Sequence, residues 1–274
     1  MARRDFSGKV ILITGAAGGL GAALCHRFAA AGARIAAMDL DATRLQDLVA
    51  TLPAGTLSIA GNIDDPAACQ AAIDQTVAHF GALDGLINNA GISHRSLFLD
   101  TDPAVIRRVM EVNFFGAMQM THAALPHLIE TRGAVAAISS VAGYAPLLGR
   151  AGYCASKHAL LGFFDTLRSE VEDLGVGVTL ICPSFIATGI GRAALGGQGG
   201  SATSARITAG GESSPDDIAQ RIVDALAQGR SLLLPDRTSR LAWWVHKFAP
   251  GFYARTMKRR VGAEFPTPSE ETRS

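Results

Sequence analysis

The run Val10-Ile11-Leu12-Ile13-Thr14-Gly15-Ala16-Ala17-Gly18-Gly19-Leu20-Gly21 passes from a continuous apolar stretch through a glycine-rich turn into a segment with Leu24, Phe28 and Ala31 at helical spacing. A strand that is apolar at every position belongs in a parallel sheet covered on both faces. Glycines between such a strand and a helix let the backbone approach a pyrophosphate, whose charge the helix N-terminus favours. Spacing alone is a weak signal: with 30 glycines in 274 residues, three at fixed positions arise by chance roughly 0.36 times. The place of the motif, between strand and helix, supplies the specificity.

Outward from this run, short apolar or β-branched stretches recur at Arg34 to Asp39, Leu57 to Ala60, Leu83 to Asn88, Val135 to Ser139, Val176 to Cys182 and Leu232 to Leu234, separated by segments of helical period. Seven strands alternating with helices predict an α/β, doubly wound Rossmann fold: a seven-stranded parallel sheet flanked by helices and joined by right-handed crossovers. Ligands of such sheets bind beyond the carboxyl ends of the strands, where the strand order reverses. Asp39 closes the second strand, where a carboxylate can accept hydrogen bonds from an adenosine ribose; capping a helix that starts near Ala42 is the competing role. Such a carboxylate repels a 2′-phosphate, and neither Gly18 nor Leu40 offers a compensating cation, so NAD is expected over NADP. The third strand leads to Gly61-Asn62-Ile63-Asp64 and the fourth to Asn88-Asn89-Ala90-Gly91. Asn-Asn-Ala-Gly is turn chemistry in any protein, and at the end of a central strand it would shape the cofactor cleft.

Composition bounds the rest. A chain that is 48% hydrophobic can bury a sizeable core. The expectation is one catalytic domain over residues 1–236, with a mobile Gly/Ser/Ala-rich substrate loop at about 189–214. The net charge of +1 gives no global drive toward nucleic acid. Cys25, Cys69, Cys154 and Cys182 form no CxxC pair and read as free thiols of a reducing compartment. The apolar stretch after Arg3 and Arg4 is too short for a signal peptide, and a cytoplasmic protein is expected. The seven histidines make no HxxxH or HxH pair, so no metal is expected; His94 reads as a surface-loop residue, with the substrate cleft as its alternative place.

Tyr153 and Lys157 lie four apart in Tyr153-Cys154-Ala155-Ser156-Lys157, on one face of an expected helix. A phenol titrates near ~10, and a cation within about 4 to 6 Å lowers that value, which makes the pair a general acid/base. Between Ser140 and Tyr153, the residues Val141, Ala142, Tyr144, Pro146, Leu147 and Leu148 form an apolar wall, with Phe185 and Ile190 opposite. An apolar wall implies an apolar substrate.

In order along the chain, the TGxxxGxG loop, NNAG, Asn113 in Val112-Asn113-Phe114, Ser139-Ser140 and YxxxK resemble the short-chain dehydrogenase/reductase family over roughly residues 6 to 235. The resemblance implies that Tyr153 exchanges a proton with the substrate oxygen, that Lys157 tunes it and holds the nicotinamide ribose, and that Ser140, or its neighbour Ser139, hydrogen-bonds the substrate. Asn113 would sit at a distortion of the long helix between strands four and five and hold a water that relays protons to Lys157. Gly15, Gly19, Leu20, Gly21, Asp39, Asn62, Ile63, Asn89, Ala90, Gly91, Tyr153, Lys157, Pro183, Ile186 and Thr188 would bind NAD. Two departures stand out: Ser184 replaces a usual glycine, and Asn62 a common aspartate. The expected activity interconverts a secondary alcohol and a ketone on a steroid, retinoid, aryl alcohol or acyl chain. The alternatives are a 3-oxoacyl carrier-protein reductase, a non-catalytic dinucleotide sensor, and an epimerase or dehydratase of the extended relatives. The family habit implies a homo-oligomer, dimer or tetramer.

The stretch from Arg237 to Gly262 carries seven Lys/Arg and no Asp/Glu, whereas residues 1–236 carry 17 basic and 21 acidic side chains. Leu241, Trp244, Val245 and Phe248, then Tyr253, Met257 and Val261 after Pro250-Gly251, mark two short amphipathic helices within a basic extension, 237–274. These helices dock either on the protein, a second subunit included, or, through 237–262, peripherally on an anionic membrane.

Overall fold

The computed structural model describes residues 3–191, 193–203, 207 and 211–265. The strands are β1 (Val10–Thr14), β2 (Arg34–Asp39), β3 (Leu57–Ala60), β4 (Gly85–Asn88), β5 (Ala134–Ile138), β6 (Gly177–Ile181) and β7 (Leu232–Leu233). They form a single sheet of order β3-β2-β1-β4-β5-β6-β7, parallel throughout. β4 starts two residues later than expected. Just before it, the carboxylate of Asp84 takes the Val10 N–H at 2.9 Å and the Lys9 ammonium at 2.9 Å.

The helices are α1 (Gly19–Ala30), α2 (Ala42–Val49), α3 (Pro66–Phe80), α4 (Pro103–Met110), α5 (Gly116–Thr131), α6 (Ala151–Val171), α7 (Pro215–Ala227), α8 (Arg237–Phe248) and α9 (Pro250–Val261). The α3 ends show how sequence sets a boundary. Asp65 accepts from the Ala67 N–H, Pro66 occupies the first turn where no N–H is needed, and Gly81 closes the helix at φ 80°. Side chains alternate along β1 with the strand period of two. Val10 and Leu12 pack in a core with Ile73, Met120, Leu128 and Phe164, from α3, α5 and α6. Ile11 and Ile13 face the other core, with Leu24, Phe28, Leu45 and Ile222 from α1, α2 and α7.

Of the glycine-rich segment 189–214, residues 192, 204–206 and 208–210 lie outside the described residues. Its described part pairs with the chain after β4, where Arg95 donates to Leu195 O at 2.7 Å and Leu195 to Ser93 O at 2.8 Å.

Candidate active site

The connections from β1 and β4 run to opposite edges of the sheet, so the carboxyl ends of these two strands open a crevice. A cleft of about 680 Å³ lies there, its walls including Gly15, Asp39, Asn62, Gly91, Ser140, Tyr153 and Lys157. Gly15 turns the chain at φ 63°, and a Cβ on it would stand 2.8 Å from Ala90 Cα. A Cβ on Gly21 would strike the Gly15 carbonyl oxygen. Thr14 and Asn89 brace this turn: Thr14 Oγ1 accepts from the Asn89 and Ala90 amides, both at 3.1 Å. Asn89 Nδ2 donates back to Thr14 O at 2.9 Å and Gly15 O at 3.0 Å.

Gly18 caps α1 without a side chain, and Gly18 to Gly21 line the cleft. The amides of the first helical turn therefore offer donors to an anion. Asp39 Oδ2 accepts from Ala17 N at 2.9 Å and Oδ1 from Asp41 N at 3.0 Å. The helix-capping alternative falls to Asp41 instead, which accepts from Arg44 N at 3.1 Å. An uncapped, glycine-lined helix start beside a fixed carboxylate fits the pyrophosphate and ribose of a nicotinamide dinucleotide. One expectation needs correction: a cation does stand near. Arg44 lines the cleft and donates to Ala17 O at 2.9 Å, placed there by the first turn of α2, out of sight of the Gly18 and Leu40 positions.

Leu20, Ile63, Ala90, Pro183, Ile186 and Thr188 also line the cleft. Thr188 Cγ2 lies 3.1 Å from where a Cβ on Gly19 would sit, so the chain after β6 closes against the start of α1. Ser184 takes a usual glycine's place without strain. Arg132 is the one non-glycine with positive φ among the described residues, and the Ser184 amide is held by Asp236 Oδ2 at 3.0 Å.

Tyr153 and Lys157 share a face of α6. Lys157 is buried; its Nζ stands 5.7 Å from the Tyr153 ring centroid and donates to Ile138 O at 2.8 Å. Burial pushes the Tyr153 phenol up to about 12, with a hydrogen bond to Ser140 pulling it partway back. Burial also pushes the Lys157 amine down, to about 8. The expected lowering of the phenol by the amine is therefore not met, because desolvation dominates and the amine spends a donor on a backbone carbonyl. The two serines have separate tasks. Ser139 is buried and donates to Lys157 O at 3.0 Å, while Ser140 lines the cleft and accepts from Ala142 N at 3.1 Å.

Asn113 stands behind this wall, outside the cleft lining, where Glu111–Phe115 forms a π turn between α4 and α5. Its Oδ1 accepts from Ile92 N at 2.8 Å, and its Nδ2 donates to Ile92 O at 3.0 Å and Ser156 Oγ at 2.9 Å. It thus ties the β4 turn to α6 between Tyr153 and Lys157.

Of the expected apolar wall, Val141, Ala142, Leu147, Phe185 and Ile190 line the cleft, and Tyr144, Pro146 and Leu148 do not. Tyr144 is buried, packs edge-on against Trp243 and donates to Ser239 O at 2.6 Å. The missing wall comes from Leu241, Val245, Phe252, Tyr253 and Met257 of α8 and α9. Four of these, all but Phe252, belong to the apolar stripes of the two tail helices; that the stripes face the substrate space was not readable from spacing.

His94 is no surface residue. It is buried, and its Nε2 accepts from Gly152 N at 2.9 Å. α6 has no cap from its own N-cap residue, Arg150, so His94 serves one of its first amides from across the fold. A Cβ on Gly152 would stand 3.1 Å from that nitrogen. Burial, with Arg150 nearby, pushes the His94 pKa down to about 4. Among the described residues no cluster of His, Cys, Asp or Glu could hold a metal ion.

Residues 9–196 match the family model described as short chain dehydrogenase. The dehydrogenase/reductase SDR family member 7B of Bos taurus is 38% identical over 266 residues, 93% of this chain and 82% of the relative. The 11-beta-hydroxysteroid dehydrogenase-like 2 of Arabidopsis thaliana is 38% identical over 189 residues, 67% of this chain and 61% of that protein. Among solved structures, a short chain dehydrogenase/reductase from Burkholderia phymatum in complex with NAD superposes with TM-score 0.78 at 25% identity, covering 89% of this chain and 96% of its own. A short-chain dehydrogenase from Streptomyces avermitilis gives 0.80 at 27%, covering 95% and 99%.

Proposed function

The chain belongs to the short-chain dehydrogenase family and is an oxidoreductase, and we propose that it interconverts a secondary alcohol and a ketone on a hydrophobic substrate, using NAD(H). The observation that carries this is the convergence of Ser140, Tyr153 and Lys157 in the cleft that also holds the Gly15 turn and Asp39. When bound, the dinucleotide supplies or accepts the electron pair of the redox step. Gly15, Gly19, Leu20 and Gly21 would hold its pyrophosphate, Asp39 and Asn62 the adenosine, and Ile186 and Thr188 the carboxamide. Ser140 Oγ donates a hydrogen bond to the substrate oxygen. Tyr153 Oη gives that oxygen a proton in reduction and takes one in oxidation; with its pKa near about 12, it holds the proton to be given at neutral pH. Lys157 would hold the nicotinamide ribose, and Asn113 braces α6 beside it through Ser156 Oγ.

Support for NAD over NADP comes from Asp39 and from the neighbour's complex with NAD. Support for a hydrophobic substrate comes from the apolar side chains of α8, α9 and Val141 to Leu147. The same apolar chamber leaves a polar carrier-protein thioester arm poorly served, which favours a free lipophilic alcohol. Homo-oligomerisation belongs to the same proposal.

Positioned acid/base chemistry contributes about 10² to 10⁴ in rate. Tyr153→Phe is expected to lose turnover by about that factor while NADH binding, read by fluorescence, persists. The substrate class is tested by following NADH absorbance with steroid, retinoid, aryl and acyl alcohols against sugars and polyols. Wild-type turnover in Tyr153→Phe, or activity confined to the polyols, overturns the proposal.

A further inference from the structure

α8 and α9 form a hairpin with two faces. The inner face is anchored: Ala242, Tyr253 and Val261 are buried, and Asp236 caps α8 through Ser239 N at 2.7 Å while its second oxygen grips Ser184 N. The outer face exposes Trp244 (57%) and Phe248 (74%), with rings stacked 5.6 Å apart, together with Leu241 (66%) and Phe252 (58%). Scattered exposed apolar residues are ordinary; four large ones on one hairpin are not. All seven cations between Arg237 and Arg260 are exposed, and none stands in an ion pair among the described residues. Leu241 and Phe252 also line the cleft, so its mouth opens on this same face.

We infer that the outer face of α8–α9 docks on an anionic lipid surface, with Trp244 and Phe248 inserted at the headgroup level and the cations against the lipid phosphates. A Trp/Phe row flanked by Lys and Arg, with no acid from Arg237 to Ala263, has the charge complement of such a surface. A second copy of the chain does not. A two-fold contact sets the same patch against itself, and here it would bring two sets of seven like charges together. No helix among the described residues is long and apolar enough to cross a membrane, so the contact is peripheral. A lipophilic alcohol in the bilayer would then reach the cleft without crossing water, a step that rests on the proposed function; the docking itself does not.

The test is co-sedimentation of the full chain with phosphatidylcholine vesicles, with and without about 30 mol % phosphatidylserine. Binding is expected to be at least about tenfold stronger on the anionic vesicles and to weaken with salt. Trp244→Ser/Phe248→Ser and Lys247→Glu/Arg255→Glu/Arg259→Glu, all at exposed positions outside the cleft, should each lose it with circular dichroism unchanged. Quenching of wild-type tryptophan fluorescence by brominated lipid gives a readout free of any variant's folding. Absence of vesicle binding, or equal binding by both variants, overturns the inference. So does a wild-type dimer that the Trp244/Phe248 variant splits while neither binds vesicles, which would assign the face to a second copy. Sedimentation is read without turnover, so its failure is distinct from a failure of the catalytic proposal.

Discussion

At the scale of single residues, Asp39 and Arg44 both line the cleft with opposite charges, and the proposed preference for NAD rests on the balance between them. Asp39→Ser removes the charge that opposes a 2′-phosphate and leaves Arg44 free to meet one. The variant is expected to shift the NADP/NAD ratio of kcat/KM upward by at least about tenfold, the equivalent of ~1.4 kcal/mol; an unchanged ratio would show that Asp39 does not select. Asp39 itself was legible because it ends a strand at a fixed remove from the glycine turn. Arg44 was not, because helical geometry rather than sequence distance carries it back to Ala17. The same limit applies to the Tyr153 phenol. Spacing places an amine beside it, but the net shift is set by desolvation, which depends on everything else that covers α6.

At the scale of an element, α6 carries the proposed acid/base pair and depends on a cap from outside itself. His94 accepts from Gly152 N only while Nε2 is unprotonated. Its folded pKa, about 4, lies below the unfolded value near ~6.5, so the unfolded chain binds the extra proton first. The contribution of His94 is fully present above about pH 6.5 and is lost as the pH falls toward 4, at most about 3 kcal/mol in all. Urea-unfolding midpoints measured from pH 7 to 4 should fall more steeply for the wild type than for His94→Gln. Parallel slopes would remove His94 from the acid response. The strands, the capping aspartates and Gly81 could be read locally, since apolar period, cap chemistry and left-handed glycine act over a few residues. A cap supplied from 58 positions away leaves no local signature, which is why His94 looked like a loop residue.

At the scale of the whole molecule, the last described residues close what the first ones open. Glu264, buried beyond α9, faces Arg150 at the start of α6 at 2.5 Å and accepts from Ile207 N at 2.5 Å. Its Oε2 has that ion pair as its sole partner among the described residues. Removing one member of a buried pair strands the other, at a cost of about 3–5 kcal/mol. Glu264→Ala is expected to lose stability in that range by urea denaturation, with a raised KM for lipophilic substrate. Pairing it with Arg150→Met should restore much of the stability, and a double variant no better than the single would argue against a stranded charge. The tail helices were foreseeable from their stripes; their joint ownership by chamber and surface was not, because a stripe does not say what covers it. There is a temporal side to this closure. On the ribosome β1 to β4, with the glycine turn and Asp39, precede Glu264 by well over a hundred codons, on the order of ten seconds at ordinary translation rates. A nascent polypeptide can therefore carry its glycine turn and Asp39 well before the nicotinamide side and the α8–α9 wall exist, a stage at which exposed apolar surface invites chaperones before it ever meets a substrate.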